Sequence, residues 1–205
     1  MPLQQTFLQL VTSYSSQHLA NKLWEEIEKA YAHKNRHYHN LSHLANLLTQ
    51  LNAVKAEIED WDTILFTLFY HDMIYKAVSS DNEANSAELA EKRMREINVP
   101  LDKIENCKVQ ILATKGHQVS ASADTNYFTD ADLSILGADW EVYHQYAKNV
   151  RKEYAIYPDL IYNPGRKKVL QHFSEMKRLY KTEYFYNKFE EQARLNLEQE
   201  LKIYK

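Results

Sequence analysis

Three glycines and four prolines among 205 residues are too few to carry a chain through the tight reversals of a sandwich, a barrel or an alternating strand-helix fold. An all-α bundle is therefore expected. With 44% hydrophobic residues the chain can bury a substantial core, and its length predicts one domain over 1–205. The apolar spacing agrees. Phe7, Leu10, Val11 and Tyr14, then Leu19, Leu23, Trp24, Ile27 and Tyr31, recur three and four apart, as in two amphipathic helices or one broken near Ser15-Ser16. After the polar stretch Lys34 to Arg36, the histidines His37, His39 and His43 stand at the entrance of a helix that turns Leu44, Leu47, Leu48 and Leu51 to one face.

Trp61, Ile64, Leu65, Leu68 and Phe69 mark a helix nearly apolar over its second half, the signature of burial in the middle of a bundle, and His71 and Asp72 stand at its end. Ser79 to Glu83 is expected to cap the next helix, with Ala84, Ala87, Ala90 and Met94 on its inner face. Pro100 separates it from a helix over roughly Leu101 to Lys115, stopped by Gly116. Gln118 to Thr129 reads as a loop, followed by a helix beginning at Asp132-Leu133. A further helix runs from Trp140 to about Tyr157. Asn163-Pro164-Gly165 reads as a turn, and Glu183 to Leu201 as the last helix.

The 25 basic and 28 acidic residues are interspersed, giving a net charge of −3. No extended nucleic-acid surface is expected from that pattern, and a small substrate suits it better than a polymer. Cys107, the single cysteine, offers neither an internal disulfide nor a multi-thiolate zinc site. The N-terminus lacks the basic start and apolar run of a secretory signal, and the longest apolar patch, Ile64 to Tyr70, is too short to span a bilayer. A cytoplasmic protein with no membrane association is the expectation. The 15 tyrosines are spread over nearly every helix, where they suit core and interface packing, and a homo-oligomer is compatible with them.

Chemistry concentrates in few residues. A carboxylate at the end of a very apolar helix is expensive unless a cation neutralises it, which singles out the adjacent His71-Asp72 pair. An isolated pair of this kind is more often a helix cap beside a core histidine. His39 and His43, four apart, project from one face if a helix includes both, and four of the nine histidines lie between 37 and 71. Together with Asp132 they offer a mixed imidazole and carboxylate donor set, suited to zinc, iron, manganese or nickel better than to calcium.

Arg36 to His43 (Arg-His-Tyr-His-Asn-Leu-Ser-His), Phe69 to Tyr75 (Phe-Tyr-His-Asp-Met-Ile-Tyr), Asp81 to Ala87 and Asp130 to Gly137 resemble, in this order, motifs of the HD superfamily. The likeness is to a subgroup of predicted metal-dependent phosphohydrolases. Weaker similarity continues through Val150 to Tyr154, Pro164 to Arg166 and Glu190 to Leu197. The resemblance implies an HD-domain-like helical bundle in which His43, His71, Asp72 and Asp132 hold a divalent metal. Manganese, nickel, cobalt, zinc, iron and magnesium all remain open. Asp130 competes with Asp132 as a donor, but the superfamily pattern places the ligand directly before Leu, leaving Asp130 as a cap. Tyr38-His39-Asn40 followed by His43 also resembles a motif of cyclic nucleotide phosphodiesterases, which makes His39 the candidate proton donor. Glu83 is a candidate for orienting or deprotonating water, and His117 for a second metal or a phosphate. Arg36, Lys115, Arg151 and Arg166 are candidate phosphate clamps, the alternative being exposed charge on helical surfaces.

The expected reaction is hydrolysis of a phosphate ester of a nucleotide or another small phosphorylated metabolite. Two other readings compete with it: a non-catalytic regulatory module that binds metal and nucleotide, and a dinuclear iron oxygenase, which would need further histidine donors.

Overall fold

The computed structural model describes residues 2–204, among which there are ten α-helices and no strand. Two compact units part after Thr129. The first holds α1 (Leu3–Thr12), α2 (Gln17–Tyr31), α3 (Leu41–Ala53), α4 (Trp61–Tyr70), α5 (Asn82–Glu96) and α6 (Leu101–Ala113). Helix α7 (Ala123–Asp132) runs through the division. The second unit continues with a 3-10 segment (Leu133–Gly137), α8 (Trp140–Glu153), α9 (Asp159–Glu175) and α10 (Glu183–Leu201). No described helix is long and apolar enough to cross a membrane.

The first unit is organised around α4. Every residue from Thr63 to Tyr70 is buried, because α1, α3, α5 and α6 all pack against this helix. Phe7 from α1 meets Phe69 edge-on with centroids 4.9 Å apart, and Trp24 from α2 closes the same aromatic cluster at 6.4 Å. The helix starts at Asp60, whose carboxylate accepts from the Thr63 N–H and hydroxyl and pairs with Lys103. Asp124, in the first turn of α7, accepts from the backbone N–H groups of Glu59 and Asp60, both at 2.9 Å. The start of α7 is thereby tied to the start of α4.

The second unit has a polar heart. Arg166 on α9 makes a two-pronged ion pair with Glu200 on α10, at 2.7 and 2.9 Å, and the Tyr143 hydroxyl donates to the same carboxylate. Asn196 donates to the carbonyls of Leu136 and Ala138, which holds the 3-10 segment against α10.

Several local expectations need correcting. The stretch read as a loop contains α7, whose buried positions are largely polar (Asp124, Thr125, Thr129 and Asp130), so no apolar stripe announces it. Asp132 consequently ends a helix instead of starting one. Asn163-Pro164-Gly165 lies inside α9. Pro164 takes away one hydrogen bond to the carbonyl four residues back, on Leu160, which is 87% exposed, so water can serve that oxygen. At the end of α6 it is His117, at φ 50°, that adopts the left-handed conformation, and its N–H bonds the Ala113 carbonyl at 2.9 Å; Gly116 does not. At the start of α5 no side chain caps the helix, and Ala84 is exposed while Ser86 joins Ala87, Ala90 and Met94 inside.

Two consequences are measurable. A Cβ on Gly137 would stand 2.5 Å from the Phe189 Cβ and 2.7 Å from its carbonyl oxygen, so Gly137→Ala must push backbone apart. A loss of about 1–3 kcal/mol in urea unfolding is expected. Cys107 is fully buried, and burial pushes its thiol up to about 12 despite a hydrogen bond to Thr67. At pH 8 only about 0.01% would be thiolate. A thiol reagent should therefore leave the folded chain untouched and label one cysteine once denaturant is added.

Candidate metal centre

The end of α4 positions the centre. A helix leaves its last carbonyls without intrahelical partners, and here three of them are satisfied individually. The Leu68 carbonyl lies 2.9 Å from His71 Nδ1, the Phe69 carbonyl accepts from the Tyr31 hydroxyl at 3.2 Å, and the Tyr70 carbonyl accepts from the Met73 N–H at 3.1 Å. A carbonyl can only accept, so His71 Nδ1 carries the proton. In the neutral ring Nε2 is then a bare lone pair, the form in which imidazole binds a metal.

That lone pair meets two other groups of the first unit. His43 Nε2, from the first turn of α3, is 3.2 Å away, and Asp72 Oδ2 stands 3.2 Å from His71 Nε2 and 3.8 Å from His43 Nε2. Both imidazoles are buried, while the Asp72 side chain keeps 19% exposure. A proton can bridge one pair of these atoms, whereas a cation can satisfy all three. Burial opposes the Asp72 charge, but His71, His39 and His43, when they carry protons, outweigh it and hold the carboxyl well below the usual carboxylate range. His43, His71 and Asp132 also make up a donor set that could hold a metal ion.

Asp132 is carried by α7. Phe128 on that helix packs edge-on against the His71 ring at 5.6 Å, and Asp132 follows four residues later, on the same helical face. Asp130 has other work. It is completely buried and accepts from the N–H groups of Lys181 and Thr182 at 3.0 and 2.8 Å and from the Thr182 hydroxyl at 2.8 Å, at the entrance of α10. The Lys181 ammonium adds an ion pair at 3.2 Å. Contrary to expectation, Asp130 therefore does not cap a helix that starts at Asp132; it lies inside α7 and braces the residues just before α10.

His39 lies before α3, which begins at Leu41 with Asn40 as its cap, so the idea that one helix face carries His39 and His43 fails. The loop brings them together instead: the two rings are 5.9 Å apart, and His39 stacks on Tyr75 at 4.2 Å. Tyr38 packs on His43 at 5.0 Å. These two tyrosines were not singled out from the sequence, though both sit inside the motifs quoted for the resemblance.

Arg36, Lys115, Arg151 and Arg166 have structural partners. Arg36 donates to the carbonyls of His39 and Met73, at 3.2 and 2.9 Å, with its guanidinium 4.7 Å from the Tyr31 ring centroid. It joins the His39 loop to the segment after Asp72. Lys115 donates to the Ser80 carbonyl at 2.7 Å. Glu83 is half-buried in the first turn of α5, where a helix dipole favours a carboxylate, and His117 is half-buried beyond α6. In the second unit Arg151 bonds Asp159 and the carbonyls of Tyr154 and Tyr157, while Arg166, expected on a surface if not a clamp, is buried against Glu200.

Replacing Arg36 with Ala removes two charge-assisted bonds, and a loss of about 1.5–3 kcal/mol is expected in chemical denaturation. Arg36→Lys should recover less than half of it, because one ammonium cannot reproduce the fork.

Comparison of the chain with family models, with curated proteins and with solved structures found no match.

Proposed function

We propose that this chain is an HD-type metal-dependent phosphohydrolase that cleaves a phosphate ester of a nucleotide or another small phosphorylated metabolite. The observation that carries the proposal is the convergence of His43 Nε2, His71 Nε2 and Asp72 Oδ2 within 3.2–3.8 Å, with the His71 tautomer fixed by the Leu68 carbonyl. His43, His71, Asp72 and Asp132 are the proposed holders of one divalent ion, whether manganese, nickel, cobalt, zinc, iron or magnesium. A divalent cation held there supplies an acidified water near neutral pH and offsets charge developing on phosphoryl oxygens.

The chain's own groups divide the remaining work. His39 gives a proton to the leaving oxygen, and the ring stacking with Tyr75 keeps its imidazole turned in one direction. Arg36 fixes the loop that carries it. Glu83 orients water from the first turn of α5, and His117 is the proposed contact for a second ion or a phosphate oxygen. The charge pattern supports a small substrate, and nothing in it calls for a membrane or a polymer.

The test is a screen of purified protein, loaded in turn with each of the six ions, for phosphate release from a panel of nucleotides and small phosphoesters. Asp72→Ala is expected to lower both bound metal and phosphate release by at least about 100-fold, with His39→Ala lowering release while keeping the metal. Phosphate release unchanged by Asp72→Ala would overturn the mechanism. Metal retained with no phosphoester cleaved across the panel would favour a regulatory module.

A further inference from the structure

Between the starts of α4 and α7 and the middle of α6, wholly within the first unit, lies a cavity of about 140 Å³. Asp60, Thr63, Gln110, Asp124 and Thr125 line it, and Glu59 stands exposed at its rim. Two of these side chains carry a polar group with no partner. Gln110 is 3% exposed and Thr125 2%. The Gln110 amide oxygen accepts from the Thr67 hydroxyl at 2.6 Å, which leaves its amide nitrogen without a bond among the described residues, and the Thr125 hydroxyl makes none. Neither group is sealed off. Among the described residues, the unpartnered side-chain polar atoms that are closed to solvent belong to Tyr162, Arg178 and Lys181, so the Gln110 nitrogen and the Thr125 hydroxyl keep accessible surface, and it is surface on the cavity they line. Polar groups so enclosed and unpaired call for an occupant.

The lining also decides the charge of that occupant. Two helices start here, and a helix start attracts anions, but its N–H groups are taken: Asp124 accepts from Glu59 and Asp60, Asp60 from Thr63, and the Ser122 hydroxyl from Thr125. No Lys, Arg or His lines the cavity. Lys103 balances Asp60, whereas Asp124, 7% exposed, and Glu59 have no basic partner among the described residues. A buried carboxylate without a counter-charge is costly, which favours a cation. A bare metal ion wants a tighter set of donors, and the group close enough for one among the described residues is His43, His71 and Asp132. An organic ammonium brings its own N–H groups to the carboxylate, and the Gln110 nitrogen needs an acceptor beside it. At about 30 Å³ for each water in the liquid, the space suits a molecule of about four or five non-hydrogen atoms.

We propose that this cavity binds a small aliphatic ammonium carrying one neighbouring oxygen, its N–H groups directed to the Asp124 carboxylate and the Thr125 hydroxyl and its oxygen accepting from the Gln110 amide nitrogen. The site uses none of the proposed metal holders and does not depend on the phosphohydrolase reading.

Four probes of similar size test it on the full chain by NMR titration, read at the Gln110 side-chain amide and the Thr125 backbone amide: ethanolamine, propylammonium, 1-propanol and acetate. Ethanolamine should bind about 3–10-fold more tightly than propylammonium, the ratio one neutral hydrogen bond supplies, with 1-propanol weaker than both and acetate not bound. Gln110→Met should make the two amines equal. Thr67 keeps its bond to the Thr63 carbonyl at 2.9 Å in that variant, so the fold should survive it. Thr125→Val should weaken both amines about 3–10-fold, with thermal stability unchanged or raised because the hydroxyl it removes has no partner. No shift with either amine up to about 100 mM, far above the millimolar dissociation constant expected of so small a molecule, would mean that water alone fills the cavity and overturns the proposal. So does 1-propanol or acetate binding as tightly as ethanolamine, an ethanolamine preference that survives Gln110→Met, or calcium displacing ethanolamine better than sodium does at equal ionic strength.

Discussion

The burial of α4 is the constraint on which the first unit depends. Eight consecutive residues, Thr63 to Tyr70, are enclosed by neighbouring helices, so any polar atom at the end of this helix must find a partner inside protein. Tyr31, Met73 and the His71 ring supply those partners, and in doing so they fix where the chain goes next. The His71 ring is oriented by a backbone carbonyl that the helix could not satisfy itself, and Asp72 is the next residue along the chain. Packing and site geometry are therefore one problem with one solution.

Much of this was legible in the sequence because burial there is written in apolar letters. The run from Ile64 to Phe69 marks α4, and the spacing of Phe7, Leu10, Val11, Leu23, Trp24 and Ile27 marks the helices that cover it. The last helix falls on the expected bounds, Glu183 to Leu201. What escaped is written in polar letters. α7 turns Asp124, Thr125, Thr129 and Asp130 inward, where hydrogen bonds to backbone and hydroxyl groups replace hydrophobic contact, and a periodicity search does not register such a face. Pro164 escaped for another reason. Proline removes one bond near a helix start, and an exposed carbonyl makes that loss small.

The candidate site divides along the same line. His71 and Asp72 were conspicuous because a carboxylate at the end of an apolar run needs a partner, whereas their grouping with His43 was implied by the resemblance. The role of Arg36 could not be read in advance, since its partners are the carbonyls of His39 and Met73, and a carbonyl has no letter of its own in the sequence. Arg166 shows the opposite case. Its charge suggested a clamp or a surface, yet Glu200, 34 positions away, brings it inside. Long-range pairing of this kind leaves no local signature.

The bond between His71 Nδ1 and the Leu68 carbonyl carries a further meaning. Because the acceptor belongs to the main chain, no substitution at position 68 can delete it while the helix persists. The orientation of the imidazole is inherited from the fold, whatever residues drift around it. A chain of this kind could exchange most of its side chains and still present the same nitrogen to the same point in space, so the geometry of such a centre can outlast recognisable likeness of sequence.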